Sequence, residues 1–330
     1  LLAIKKVNQN RGKRTAGIDG ETWSSPKSKM KAALCLTDKK YVAKPLKRVF
    51  IEKPGKKMKR PLGIPTIYDR SMQALYALAL EPIAEIKGDR TSFGFRKFRS
   101  PHDACEYAFH YLCTKNSPVW VLEGDIKGCF DNISHQWLID NIPMDKTVLK
   151  QFLKAGYIFE RQLFQTDAGT PQGGIISPIL ANMTLDGIDK LLADKYHKKR
   201  KSGRTNNEYA AKYKVNFVRY ADDFIVTANT EEIAKEVKEL IKDFLKDRGL
   251  ELSDEKTLIT HIDDGFDFLG WNFRKYNGKL LVKPSKKSID KFTEKISETI
   301  KMGKAWKQEK LICVINPKII GWANYNHSVV

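Results

Sequence analysis

Two adjacent carboxylates, Asp222 and Asp223, sit between the apolar runs Phe217-Val218 and Phe224-Ile225-Val226, and few chain geometries tolerate that arrangement. Apolar residues on both sides of Tyr220-Ala221-Asp222-Asp223 predict a buried β-hairpin with acids at its tip. Like charges there are unfavourable unless cations lie against them, and carboxylates suit hard divalent ions. A third acid, Asp125, follows the strand-like run Val119-Trp120-Val121-Leu122 and opens into Ile126-Lys127-Gly128-Cys129-Phe130-Asp131-Asn132. One acid at a strand end facing two on a hairpin suits a pair of Mg²⁺ ions about 4 Å apart, the arrangement used for in-line phosphoryl transfer. Taken alone, an Asp-Asp pair also fits an ordinary turn, where such acids are common.

The order of the surrounding segments separates these readings. Lys53-Pro54-Gly55, Arg60-Pro61-Leu62-Gly63-Ile64-Pro65 and Ser92-Phe93-Gly94-Phe95-Arg96 precede Asp125. Gly169-Thr170-Pro171-Gln172-Gly173-Gly174-Ile175-Ile176-Ser177-Pro178 lies between it and the acid pair. Leu250-Glu251-Leu252-Ser253-Asp254-Glu255-Lys256-Thr257 and Gly265-Phe266-Asp267-Phe268-Leu269-Gly270-Trp271 follow. This succession resembles the ordered blocks of reverse transcriptases, most closely those encoded by group II introns. Asn10-Arg11-Gly12 with Ala16-Gly17-Ile18-Asp19-Gly20 resembles the N-terminal extension of the non-retroviral members. Asn316-Pro317-Lys318-Ile319-Ile320-Gly321-Trp322-Ala323-Asn324-Tyr325 is similar to the passage from thumb to maturase domain. The start without methionine and the end at Val330 lead us to expect a polymerase-domain fragment, with little sequence for a maturase domain, DNA-binding region or endonuclease.

The resemblance implies an RNA-directed DNA polymerase using two Mg²⁺ ions. Asp125 and Asp222 would bridge the metals, the Ile126 carbonyl would complete one coordination sphere, and Asp223 would be the remaining ligand. Lys53 and Arg60 match positions that clamp the triphosphate, although a basic turn fits them too. Gln172 would pack beside the incoming nucleotide, with glycines allowing close backbone approach. Phe130, five residues after Asp125, stands where an aromatic obstructs a 2′-hydroxyl; a core phenylalanine is the alternative. Lys256 would protonate the leaving pyrophosphate or serve as an ordinary surface lysine. Arg96 would touch template, with Lys97 where many relatives have proline, and Phe268-Leu269-Gly270-Trp271 would grip the primer end. The implied partners are dNTPs, RNA template and primer, the RNA/DNA duplex and intron RNA, whose binding would support splicing and mobility. An RNA-binding splicing cofactor with an idle polymerase site is the main alternative, opposed by the retained acids, Gln172 and Phe130. Phe130 and Ala221 weigh against an RNA-directed RNA polymerase, while retron, diversity-generating and CRISPR-linked enzymes stay open.

The expected fold class is α+β, a right-hand polymerase with fingers, a palm of antiparallel sheet plus helices, and the start of a helical thumb. The segments are 1–95 for N-terminal extension and fingers, 96–134 for palm, 135–165 for fingers, 166–274 for palm and 275–330 for partial thumb. Asn229-Thr230-Glu231-Glu232 offers a helix N-cap with Glu three residues on, before Ile233, Val237, Leu240, Ile241, Phe244 and Leu245 at helical spacing. That helix is expected against the hairpin's sheet. Ser177-Pro178 predicts one helix carrying Ile179, Leu180, Met183, Leu191 and Leu192. Pro284-Ser285 introduces a third, with Ile289, Phe292, Ile296 and Ile300 inward and Lys287, Lys291 and Lys295 outside, either a thumb helix or a generic amphipathic one. The run Lys198-Lys199-Arg200-Lys201-Ser202-Gly203-Arg204 reads as an exposed loop.

Five cysteines without a CxxC pairing read as reduced thiols in a cytoplasmic protein, and no apolar stretch suggests a membrane span or signal peptide. The formal net charge is +20, with residues 1–60 at +14, residues 271–330 at +9 and the middle at −3. Basic ends around an acidic centre suit a polyanion held beside a metal-binding floor. Primer-template binding is therefore expected to weaken steeply as salt rises, checked by titration at several ionic strengths; salt-independent binding would count against a phosphate-contacting surface.

Overall fold

The structure is a computed structural model and describes residues 1–37, 41–52, 59–197 and 207–329. Eleven strands occur among the described residues: β1 (Leu46–Glu52), β2 (Lys59–Ile64), β3 (Trp120–Asp125), β4 (Tyr157–Phe159), β5 (Gln162–Phe164), β6 (Asn216–Tyr220), β7 (Asp223–Ala228), β8 (Leu258–His261), β9 (Phe266–Phe268), β10 (Trp271–Tyr276) and β11 (Lys279–Pro284). With the intervening helices they make an α+β chain in two compact units. The first contains Leu1–Arg90, Ile126–Ile188 and Ile241–Leu252; the second contains Thr91–Asp125, Asp189–Leu240 and Ser253–Val330. Lys53 and the basic run 198–204 lie outside the described residues.

The first unit is organised by the 21-residue helix Ile67–Lys87 and a four-stranded sheet in the order β2-β1-β4-β5. Strand β1 runs antiparallel to β2 and parallel to β4. Thr66 caps the helix, its hydroxyl accepting from the Asp69 N–H at 3.1 Å, and buried Asp69 accepts from the Tyr41 hydroxyl at 2.7 Å. Arg70 donates to the Gly12 and Thr15 carbonyls, tying the N-terminal segment to this helix. Gly17 closes the same junction. A Cβ there would lie 2.6 Å from the Thr66 Cα, so only glycine admits the approach.

The helix expected from Ser177 is two helices, Ser177–Leu185 and Ile188–Tyr196. Asp186 is extended, and Gly187 has φ +107°, a conformation side-chain-bearing residues avoid. The break is fixed because the Gly187 N–H donates to buried Asp89 at 2.9 Å. Ser177 does not cap; its hydroxyl donates to the Pro171 carbonyl at 2.8 Å. In helix Glu231–Lys246 the cap is Thr230, one position later than expected, accepting from the Ile233 N–H at 3.4 Å. Val237, Ile241 and Leu245 of that helix are buried.

The second unit holds an antiparallel sheet in the order β6-β7-β3-β8 and a three-stranded sheet in the order β11-β10-β9. Phe93, Ala104, Ala108, Leu112, Val121, Val218, Ile225, Phe266, Trp271 and Phe273 share one core, built from alternate residues of the strands and one face of helix Pro101–Leu112. Helix Lys286–Met302 begins at Ser285, which accepts from the Ser288 N–H at 3.2 Å. Its expected inward face is incomplete, since Ile289 and Ile300 are 44% and 46% exposed. Helix Gln308–Asn326 covers it through the Phe292–Trp322 stack at 4.7 Å, and one partner helix cannot shield every apolar position.

Segment Thr91–Gly94 lies against the acid-bearing hairpin. Ser92 bridges Arg219 in parallel, the Phe93 N–H donates to the Arg219 carbonyl at 2.9 Å, and the Arg219 N–H donates to the Thr91 carbonyl at 2.9 Å. A Cβ on Gly94 would stand 2.2 Å from the Ala221 nitrogen, an approach open only to glycine. Gly94→Ala is therefore expected to destabilise the fold by about 1–3 kcal/mol, measured by chemical denaturation. Unchanged stability would show that the hairpin turn is not clamped by this segment.

Candidate active site

The strand register gathers the acids. Tyr220 pairs with Asp223 across β6 and β7, and Asp223 pairs with Asp125 across β7 and β3. Directly opposed residues of antiparallel strands share a face, with Cβ atoms about 5 Å apart, and like charges so placed repel. Asp222 completes the group from the two-residue turn, where Ala221 has φ +58°. Arg219, wholly buried on β6, donates from Nη1 to the Ala221 carbonyl at 3.2 Å and so braces that left-handed residue. The next row across the sheet is Arg219, Phe224 and Gly124. A Cβ on Gly124 would fall 2.1 Å from the Phe224 ring, so the glycine before Asp125 makes room for the aromatic after Asp223.

Desolvation in this crowded position, then the charges of Asp222 and Asp125, push the Asp223 carboxyl up to about 6, with Lys256 acting the other way. Asp223 nonetheless keeps an exposed edge through which a cation could reach it. Lys256 is the partner on hand: its ammonium donates to Asp125 Oδ2 at 2.6 Å. The turn carrying it is anchored by Asp125 itself, whose carbonyl accepts from the Ser253 N–H at 2.8 Å. Among the described residues no group of three or more His, Cys, Asp or Glu side chains already forms a metal cage. Mg²⁺ does not require one, because it is usually held by one or two carboxylates, substrate phosphates and waters. The opposed acids and the lysine bound to one of them therefore fit a hard cation.

In the first unit, Ile126 is buried and bridges Leu252. The Lys127 N–H donates to the Glu251 carbonyl at 2.9 Å, so this is a pair whose bonds are made by flanking residues, and the bridge does not use the Ile126 carbonyl. Phe130 is half-buried and lines a cavity of about 340 Å³ together with Arg48, Pro61, Gly63, Asp131 and Gln172. Gln172 is held from two sides: Nε2 donates to Asp131 Oδ2 at 2.9 Å, and its carbonyl accepts from the Gly63 N–H at 2.8 Å. Gly173, at φ +114°, makes that approach possible, since a Cβ would meet the Gly63 oxygen at 2.8 Å. Arg60 is exposed on β2 opposite Ile51.

The residues expected at the primer end are divided by the fold. Phe268 and Trp271 are core side chains, Trp271 stacking on Tyr325 at 4.6 Å and donating from its indole to Asn326 at 2.9 Å. Their pairing across the β9–β10 hairpin sets both side chains on the same, inward face, so of this segment it is the Leu269–Gly270 turn that reaches the surface. Arg96 donates to the Ser92 carbonyl at 3.0 Å, within the segment beside the hairpin. Arg219 and Asp131 had no role in the sequence-based expectation. The available signal for Arg219 was a lone cation within an apolar strand; Asp131 offered none before Gln172 was seen beside it.

Comparison with known proteins agrees with this geometry. The family described as "Reverse transcriptase (RNA-dependent DNA polymerase)" matches residues 51–273, the "N-terminal domain of reverse transcriptase" matches residues 1–36, and "Group II intron, maturase-specific domain" matches residues 289–330. The last match starts inside helix Lys286–Met302, so more maturase-type sequence is present than expected. The group II intron-encoded protein LtrA of Lactococcus lactis subsp. cremoris is 35% identical, over 83% of this chain and 54% of the relative. Protein YkfC of Escherichia coli K12 is 34% identical, over 81% of this chain and 78% of the relative. A Candida albicans telomerase structure with a fragment of telomeric RNA shares the fold, with TM-score 0.54 and 13% identity, over 86% of this chain and 54% of that one. The chain spans about half the length of LtrA. Among the described residues no helix is long and apolar enough to cross a membrane. The chain belongs to the reverse transcriptase family, in the branch encoded by group II introns.

Proposed function

We propose that this chain carries the polymerase site of an RNA-directed DNA polymerase, joining a dNTP to a primer 3′-hydroxyl on an RNA template. The observation that carries the reading is the row Tyr220, Asp223 and Asp125, with Asp222 in the adjoining turn, in a chain of this family. Asp125, Asp222, Asp223 and the Ile126 carbonyl would hold two Mg²⁺ ions. When bound, such ions lower the pKa of the attacking hydroxyl and neutralise the triphosphate.

The chain's own groups then bind and orient. Lys256, which donates to Asp125, would release that carboxylate and give a proton to the leaving pyrophosphate. Arg60, with Lys53, binds the triphosphate. Gln172, oriented by Asp131, packs on the incoming nucleotide, and Phe130 on the same cavity wall rejects a 2′-hydroxyl. Arg96 contacts template, and the Leu269–Gly270 turn supports the primer end. We retain the five-segment division into N-terminal extension and fingers, palm, fingers, palm and partial thumb. Intron RNA binding that assists splicing, and a cytoplasmic location, belong to the same proposal. The maturase-type match over residues 289–330 favours that RNA-binding role as a companion activity.

The test is Mg²⁺-dependent extension of a DNA primer on RNA, with dNTPs against rNTPs and with the Asp222→Ala/Asp223→Ala variant. Extension with dNTPs alone, abolished in the variant, is the expected outcome. Tight, salt-dependent RNA binding without extension would favour a splicing cofactor.

A pH prediction follows from Asp223. Its folded-state pKa lies above the ordinary carboxylate value, so the stability it contributes is present below about pH 4 and is lost as pH rises through about 6. Asp223→Asn is expected to flatten that part of the stability curve, measured by denaturation across this range. Added Mg²⁺ should move the Asp223 titration downward, read from its carboxyl carbon resonance.

A further inference from the structure

The segment Phe95-Arg96-Lys97-Phe98-Arg99 combines exposed aromatics, cations and an unusual backbone in five residues. Phe98 is fully solvent-exposed with φ +59°, and Phe95 is 52% exposed with φ +60°. A left-handed conformation costs an L-residue on the order of 1–2 kcal/mol, and a bulky apolar ring held in water contributes no burial in return. Such a combination persists where the surroundings impose it. They do so here, all within the second unit. Ser92 and Phe93 run beside Arg219, Gly94 presses on Ala221, and Arg96 donates back to the Ser92 carbonyl. On the other side, Ser100 and Asp103 form a reciprocal capping box that starts helix Pro101–Leu112. Phe98 is thus presented by a loop anchored at one end to the acid-bearing turn and at the other to a helix start.

We propose that Phe98 is a stacking platform for an unpaired template base, with Arg96, Lys97 and Arg99 supplying phosphate contacts. The inference rests on the polymerase reading and extends its template contact to a residue without an assigned role. Single-stranded nucleic acid is the occupant that matches both halves of the loop, because every base offers a π-face and every linkage a negative charge. Three cations and no acid between Phe95 and Arg99 disfavour a purely apolar partner. The tether to Ala221 holds the loop beside the carboxylates, where a templating base is needed.

The test compares binding of a blunt RNA/DNA duplex with that of a duplex bearing a single-stranded RNA overhang, for wild type, Phe98→Ala and Phe98→Trp. Loss of one stacked base corresponds to a weakening of about 5- to 160-fold. Phe98→Ala should show that loss for the overhang but not the blunt duplex, Phe98→Trp should retain affinity, and the salt slope should stay unchanged because no phosphate contact is removed. A 5-bromouridine in the overhang should photocrosslink at position 98. Equal overhang binding by wild type and Phe98→Ala overturns the inference while leaving the polymerase reading intact. Failure of the wild type to bind either duplex overturns both. Self-association that is lost in Phe98→Ala, with overhang binding unchanged, reassigns the ring to a contact with a second copy. Because Phe98 packs against nothing, unchanged thermal unfolding of the variants excludes misfolding as the cause.

Discussion

Electrostatic crowding of three carboxylates is the constraint on which the site depends. The register sets Asp125 opposite Asp223, and the turn adds Asp222, so the fold itself places like charges together. Two devices make this tolerable. Lys256 neutralises Asp125 directly, from a turn whose backbone is bonded to the same aspartate. Part of the remaining repulsion is relieved once the pH falls to about 6, where Asp223, its pKa raised by the same crowding, takes up a proton. Neither device makes the acids a finished cage. The site thus stores a need for cations that substrate phosphates and metal would meet together, which suits a reaction whose catalysis is mainly positioning and charge neutralisation.

That arrangement needs a frame that cannot yield, and the frame is backbone packed on backbone. Gly94 on Ala221 and, in the first unit, Gly173 on Gly63 are positions where a Cβ would collide with main chain. Side-chain contacts can adjust by rotamer changes, whereas two apposed main chains have little freedom. Arg219 adds a buried hydrogen bond to the one residue, Ala221, that the turn forces into left-handed space. The same logic fixes Gln172, whose carbonyl and side chain are both bonded. Side chains expected to meet substrate are thereby held by groups that do not.

Much of this was legible in the sequence, for a local reason. The acid hairpin, the strand ending at Asp125 and the third helix start all follow from residue types within a few positions of one another. What escaped depended on contacts between distant segments. A hairpin over Phe268–Trp271 puts its two flanking aromatics on one face, but the core around Phe93 and Val218 decides that this face is inward. The break at Gly187 depends on Asp89, and the orientation of Gln172 depends on Asp131. The exposure of Ile289 and Ile300 reflects how many helices lie against theirs, a tertiary quantity that helical periodicity cannot contain.

Strained backbone offers a final distinction between the turns that merely connect and those that present a side chain. Eight non-glycine residues have positive φ among the described residues. Glu160 and Arg161 join β4 to β5, and Asn277 with Gly278 joins β10 to β11; tight hairpins demand this conformation at their two central positions, so topology accounts for it. Leu269 belongs to the turn between β9 and β10, Ala221 to the acid turn, and Lys214 ends helix Asn207–Tyr213, its N–H donating to the Ala210 carbonyl at 2.8 Å. Phe95 and Phe98 are different, because no hairpin closes around them and neither directly follows a helix end. Their strain is maintained by the anchors at Gly94, Arg96 and Ser100, and its visible effect is to hold aromatic rings in water next to three cations. A connection between Thr91 and Pro101 could be made without that cost, so the conformation is better explained by what the loop presents than by what it joins.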